Sequence, residues 1–196
     1  MTTVTVFFLQ LNTLKSNKEK YISALGESQL KKAESYKNSD DYLLSVGGAY
    51  LVNKYTPNSP ISIGEFGKPY KDGSYFNLSH SGEIVALAVS DKEVGLDVEG
   101  RRIVKESVLK RVLSEKEKEH ITSTEDFLKI WTLKESLLKC TGRGLISRLN
   151  CVPSIPEGLK EYEGEKYFSK SFEYSEHIIS VTVKTDEEFE IKIVTV

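Results

Sequence analysis

Residues 75–99 constrain the fold more than any other stretch. In "YFNLSHSGEIVALAVS" and in "EVGLDVE" apolar residues recur at every second position, the period of a β-strand. A short turn at Asp91 and Lys92 joins the two runs. Side chains two apart in a strand share a face, so Asp97 and Glu99 project together, with Arg101 and Arg102 close behind.

The rest of the chain alternates helix and strand blocks. Residues 1–11 read as a strand. Residues 17–37 and 40–55 read as helices, the second capped by Asp40 and burying Leu43, Leu44, Tyr50 and Leu51. A turn-rich stretch, "TPNSPISIGEFGKPYKDGS", leads into the strands. Two further helices are predicted over 104–121 and 124–141, and the strands "YFSKSFEY", "HIISVTV" and "FEIKIVTV" finish the chain. The fold class is therefore α+β. The rhythm of residues 75–90 returns in "YFSKSFEYSEHIISVTVK" (167–184). That is either coincidence between amphipathic strands or an internal duplication. The second reading divides the chain at residue 100, into an N-terminal half (1–100) and a C-terminal half (101–196) related by a pseudo-twofold.

Composition narrows the function classes. A net charge of −2 gives no bulk attraction to nucleic acid or membranes. No apolar run approaches the roughly 20 residues of a membrane span, and "MTTVTVFFLQ" lacks the basic start of a secretion leader, so a cytoplasmic location is expected. The two cysteines, Cys140 and Cys151, have no metal-ligand spacing.

Three groups of residues carry chemistry. Two charges about 4 Å apart interact by roughly 4 kcal/mol at an effective dielectric near 20. Asp97 and Glu99 therefore need relief, from water, from the neighbouring arginines, from a raised pKa on one acid or from a metal ion. In the helix "TEDFLKIWTLKESLLKC", Phe127, Leu128, Ile130, Trp131, Leu133, Leu137 and Leu138 form one broad apolar face. Lys134 falls within it and needs a partner if buried. Glu135 lies on its flank, in line with Trp131 and Lys139, either as a surface pair with Lys139 or as part of a site. The third group is "FGKPY" with "FNLSHSG". Ser79, His80 and Ser81 look like part of a hydrolase site, but neighbours on a strand point to opposite faces and no G-x-S-x-G elbow surrounds them. His80 read by itself is rather a structural histidine near a strand end.

In this order, "FGKPY", "FNLSHSG", "VGLDVE" and "WTLKESLLKCTGRGL" resemble the 4′-phosphopantetheinyl transferase superfamily, in its larger surfactin-synthetase-activating type. The resemblance runs from the 40–55 helix to about Leu145. It implies two similar α+β halves in one chain acting as a monomer. It implies transfer of 4′-phosphopantetheine from coenzyme A to a serine of an acyl or peptidyl carrier protein, with Mg²⁺ required and 3′,5′-ADP released. By resemblance Asp97, Glu99 and Glu135 are the metal acids. Lys139 is the lysine near the pyrophosphate, and Lys68, Ser79 and His80 contact coenzyme A. Trp131 and Lys134 hold the helix against its neighbours. Glu135 is expected to take the serine proton, directly or through water on the metal. Arg101, Arg102, Lys105, Lys110 and Arg111 either dock the acidic carrier or form a solvated face. A catalytically silent relative that binds carrier or nucleotide is the alternative.

One position departs from the family pattern. Where relatives carry an arginine that grips the 3′-phosphate of coenzyme A, this chain has Asp41. An acid cannot replace a phosphate-binding arginine. Lys31, Lys32 and Lys37 are the neighbouring cations that could compensate.

Overall fold

The structure is a computed structural model and describes residues 1–64, 66–143, 149–155 and 157–196. The chain begins with strand β1 (Thr3–Gln10) and helices α1 (Leu11–Ser16), α2 (Lys18–Ser23), α3 (Glu27–Ala33) and α4 (Ser39–Tyr55). The short strands β2 (Ser62–Ile63) and β3 (Pro69–Tyr70) follow, then β4 (Tyr75–Ser81), β5 (Ile84–Ser90) and β6 (Val94–Gly100). Next come α5 (Glu106–Val112), α6 (Glu115–Lys118) and α7 (Thr124–Thr141). Strands β7 (Gly158–Tyr162), β8 (Glu165–Tyr174), β9 (His177–Lys184) and β10 (Glu190–Thr195) complete the chain.

The single helix expected over 17–37 is instead two short helices, preceded by α1. Asn17 leaves helical geometry at φ −130° and ψ 35°, and Gly26 is extended at the start of α3. The helix expected over 104–121 is likewise broken. Ser114 accepts the N–H of Glu117 and the Glu117 carboxylate accepts that of Ser114, a capping box that restarts the chain as α6. On α4 the cap is Asn38, whose side chain accepts the N–H of Asp40, rather than Asp40 itself. Helix α7 runs as predicted, capped by Ser123 and closed by Gly142 at φ 78°.

Among the described residues eight strands form two four-stranded sheets, β10-β1-β5-β4 and β6-β9-β8-β7, and β2 and β3 pair with each other. Each four-stranded sheet repeats one plan. A first strand (β1 or β6) leads through helices to a hairpin (β4–β5 or β8–β9), whose second strand pairs antiparallel with the first. The rhythm shared by residues 75–90 and 167–184 is this repeated hairpin. The sheets do not divide at residue 100. Strand β6, assigned to the N-terminal half from sequence, pairs with β9, and β10 crosses back to lie parallel to β1.

Strand parity sorts the core. Val4, Val6 and Phe8, Ile84, Ala86 and Ala88, Val94, Leu96 and Val98, and Ile179, Val181 and Val183 share one cluster between the sheets. Leu9, Val85 and Leu87 face the other way, against α1 and α4. On β6 the odd positions therefore point away from the central core, to the side where α7 lies. There Thr132 bonds Ser180 and Ser136 bonds Thr182 on β9. Among the described residues no helix is long and apolar enough to cross a membrane.

Candidate active site

Gly95 sets the depth of the site. A Cβ there would lie 1.9 Å from the Ser136 carbonyl oxygen and 2.4 Å from the Cys140 nitrogen, so only glycine lets α7 lie directly on β6. That contact brings Glu135 and Lys139 of α7 beside Asp97. Lys139 Nζ donates to Asp97 Oδ1 at 2.6 Å and to Ser79 Oγ at 3.0 Å, and Ser79 Oγ donates to the same Asp97 oxygen at 3.2 Å.

A second contact joins the sheets at this point. Strand β6 is an edge strand, and its outward N–H groups meet side chains of β4 instead of a backbone ladder. Leu96 N–H donates to Asn77 Oδ1 at 2.9 Å, Val98 N–H to Ser79 Oγ at 3.3 Å and Gly100 N–H to Ser81 Oγ at 3.0 Å. The period-two series 77, 79, 81 thus stitches onto 96, 98, 100, satisfying edge groups that burial would otherwise penalise.

The electrostatics of the site are unbalanced. Asp97 Oδ2 and Glu135 Oε1 are buried and have no hydrogen-bond partner among the described residues. Burial pushes the Asp97 carboxyl up to about 6 against the pull of Lys139, and the Glu99 charge adds to the rise. Burial, then the charge of Asp97, pushes Glu135 up to about 7, with Lys139 opposing and Glu99 adding. Glu99 is differently placed. Its Oε2 accepts from Ser81 Oγ at 3.2 Å and its Oε1 pairs with Arg102 at 3.1 Å. Among the described residues no three His, Cys, Asp or Glu side chains gather into a set that could hold a metal ion. The orphaned oxygens on Asp97 and Glu135 nevertheless fit a hard cation, which prefers carboxylate oxygens.

The remaining sequence-predicted residues fall elsewhere. His80 is exposed on the opposite face of β4 from Ser79, where it lines a cavity of about 430 Å³ with Lys32, Tyr36 and Leu78. Asp41 is exposed on the first turn of α4 and does not line that cavity. Lys68 donates to the carbonyls of Val94 and Cys140 at 2.8 and 2.9 Å, bracing the start of β6 against the end of α7. Lys68 also lines a second cavity, of about 560 Å³, with Phe66 and Tyr75. Arg101 pairs with Glu125 and Glu173 rather than with the strand acids.

A family model for the 4′-phosphopantetheinyl transferase superfamily matches residues 93–192, just over half of the chain, beginning at β6. The chain belongs to this superfamily. It is similar to the 4′-phosphopantetheinyl transferase gsp of Aneurinibacillus migulanus, 32% identical over 130 residues, covering 59% of this chain and 55% of that protein. It is also similar to the 4′-phosphopantetheinyl transferase Sfp of Bacillus subtilis, 26% identical over 144 residues (65% and 64%). A third relative is HetI of Nostoc, 37% identical over 84 residues (38% and 35%). The chain spans less than two thirds of the length of these relatives.

Membership explains the motif helix in physical terms. The lysine inside its apolar face, Lys134, donates to Glu117 Oε2 at 2.6 Å and to the carbonyls of Val112 and Leu149. It ties α7 to the α5–α6 region, as the resemblance to the superfamily implied. Of the helix-ending G-x-G-L, Gly142 and Arg143 are described; Gly144 and Leu145 lie outside the described residues. From sequence, Gly95 and Asn77 had no role, and Ser81 figured only as part of a hydrolase-like run. Their signal was their register: a glycine two residues before Asp97, and polar residues at every second position of β4.

Proposed function

We propose that this chain transfers 4′-phosphopantetheine from coenzyme A to a serine hydroxyl of an apo acyl or peptidyl carrier protein, releasing 3′,5′-ADP. The observation that carries this reading is the pair of buried carboxylates, Asp97 and Glu135, each with an unpartnered oxygen beside Lys139. In the transfer the serine Oγ bonds to the β-phosphorus of coenzyme A, the bridging P–O bond breaks, and the electron pair leaves with 3′,5′-ADP. Glu135, a buried carboxylate with an unpartnered oxygen beside Asp97 and Lys139, is the group placed to take the serine proton. Lys139 is the cation placed for the pyrophosphate, where negative charge accumulates on the leaving group. It reaches phosphate by sharing or leaving Asp97. Ser79 holds Asp97 on the side facing Lys139.

Mg²⁺, when bound, would supply charge neutralisation to the pyrophosphate; Asp97 and Glu135 would hold it through their unpartnered oxygens, with Glu99 as the third acid that the resemblance implies. The nucleoside end of coenzyme A is assigned to the cavity lined by Lys32 and His80. With Asp41 in place of a phosphate-gripping arginine, Lys32 is the cation lining that cavity among the described residues. A single exposed charge contact supports a preference for coenzyme A over 3′-dephospho-coenzyme A of only about tenfold or less. A hundredfold preference would refute this assignment. The repeated halves support a chain that acts as a monomer.

The decisive experiment is incubation with coenzyme A, Mg²⁺ and several purified apo-carriers, read by intact mass. A gain of one phosphopantetheine, lost with chelator, supports the proposal. No gain on any carrier, with coenzyme A still bound, points instead to the silent relative.

A further inference from the structure

Two serines on β4 are built into the site by the same construction. Ser79 accepts the N–H of Val98 and donates to the carboxylate of Asp97, the residue before it. Ser81 accepts the N–H of Gly100 and donates to the carboxylate of Glu99, again the residue before it. A hydroxyl has one proton. With an N–H directed at its oxygen, that proton is left to point at the carboxylate. Asn77 makes the same backbone contact one step earlier, to Leu96, but the residue before Leu96 is Gly95 and offers no side chain. Asn77 is therefore the stitch without the carboxylate, and Ser81 is the stitch with it.

Ser81 is held at both ends. Its carbonyl oxygen lies 3.1 Å from Nε2 of His177, and in the β4–β5 hairpin it stands opposite Ile84. Glu99 is thus gripped by an anchored serine on one oxygen and by an exposed arginine, Arg102, on the other. The arginine has a long, mobile stem and the serine does not.

We propose that Ser81 is a positioning residue for Glu99, its hydroxyl holding that carboxylate within electrostatic reach of Asp97 and Glu135 for a divalent cation. This rests on the reading of these acids as a metal site.

The test is titration of the full chain with Mn²⁺ alone, without coenzyme A or carrier, followed by calorimetry and by loss of the free-ion paramagnetic signal. Losing one hydrogen bond to a charged ligand group should weaken Mn²⁺ binding about fivefold in Ser81→Ala, with Ser81→Thr restored to within about twofold of wild type. Asn77→Ala should lower the melting temperature, as loss of the same backbone contact does in Ser81→Ala, yet bind Mn²⁺ like wild type. Should Ser81→Ala fail to fold, Ser81→Cys keeps the volume with a weaker donor and should fall between alanine and threonine. Unchanged or tighter binding in Ser81→Ala overturns the proposal, as does equal weakening in Asn77→Ala. If Asp97→Asn abolishes Mn²⁺ binding while Ser81→Ala does not alter it, only the positioning role fails. If wild type binds no Mn²⁺, the metal reading fails and this proposal with it.

Discussion

Helix α7 carries two lysine–carboxylate pairs of identical length and opposite character. Lys134 meets Glu117 at 2.6 Å with side chains 0% and 3% exposed, and Lys139 meets Asp97 at 2.6 Å with side chains 29% and 7% exposed. The first pair is saturated. Lys134 has three acceptors, and Glu117 also accepts from Ser154 and from the Ser114 N–H. Burial alone would raise the Glu117 carboxyl, but Lys134, Ser154 and Ser114 together hold it below its usual value. The second pair is left incomplete, with an orphaned oxygen on Asp97 and another on Glu135, and both acids rise toward neutrality. Saturation marks a pair that holds the fold, and deficit marks a pair that waits for something else.

The largest expected effect separates chemistry from binding at Glu135, beside the incomplete pair. Glu135→Gln should reduce turnover by about a thousandfold or more, while calorimetry still detects coenzyme A. Full activity in that variant would remove Glu135 from the mechanism. Next comes stability at the saturated pair. Lys134→Met leaves Glu117 buried without its cation and should cost about 3–5 kcal/mol in denaturant unfolding. Lys139→Met should cost about 1 kcal/mol or less, because its pair is partly solvated, yet it should lose transfer activity. Equal losses of stability would erase the distinction between the two pairs.

A smaller effect concerns pH in chelator. Asp97 and Glu135 release their protons later in the folded chain than in the unfolded one. Their ionisation therefore costs stability progressively as pH rises from about 4 to about 7. Glu117, held below its usual value, has the opposite sign: its contribution is present above that value and is lost as pH falls. The melting temperature of Glu135→Gln relative to wild type should therefore increase from pH 5 to pH 8. A flat or falling difference would contradict the assigned shift. The smallest effect lies at the rim. Reversing charge at Arg102 and Lys105 should raise the apparent KM for the carrier about three- to tenfold and spare that for coenzyme A. No change in either constant would return these residues to a solvated face.

Much of the site was legible because its signals are local. The two-residue period of β6 put Asp97 and Glu99 on one face, and the turn geometry of α7 put Glu135 and Lys139 in line. Long helices with strong caps, such as α7, also matched. The breaks at Gly26 and Ser114 were harder to see, because short helices share one hydrophobic period with a continuous one. Lys68 and Arg101 show the limit of motif reading. Each has a partner distant in the chain, Cys140 for the one and Glu173 for the other.

By itself, the sequence determined the element types, the shared face of the two acids and the oddity of a lysine in an apolar stripe, since all three follow from periodicity. Only the tertiary structure decided which sheet β6 joins, that Glu117 answers Lys134, and that Gly95 lets α7 bring Glu135 to Asp97. These depend on backbone approach and on partners as far apart as Val94 and Val183, where no local period reports which surfaces will meet.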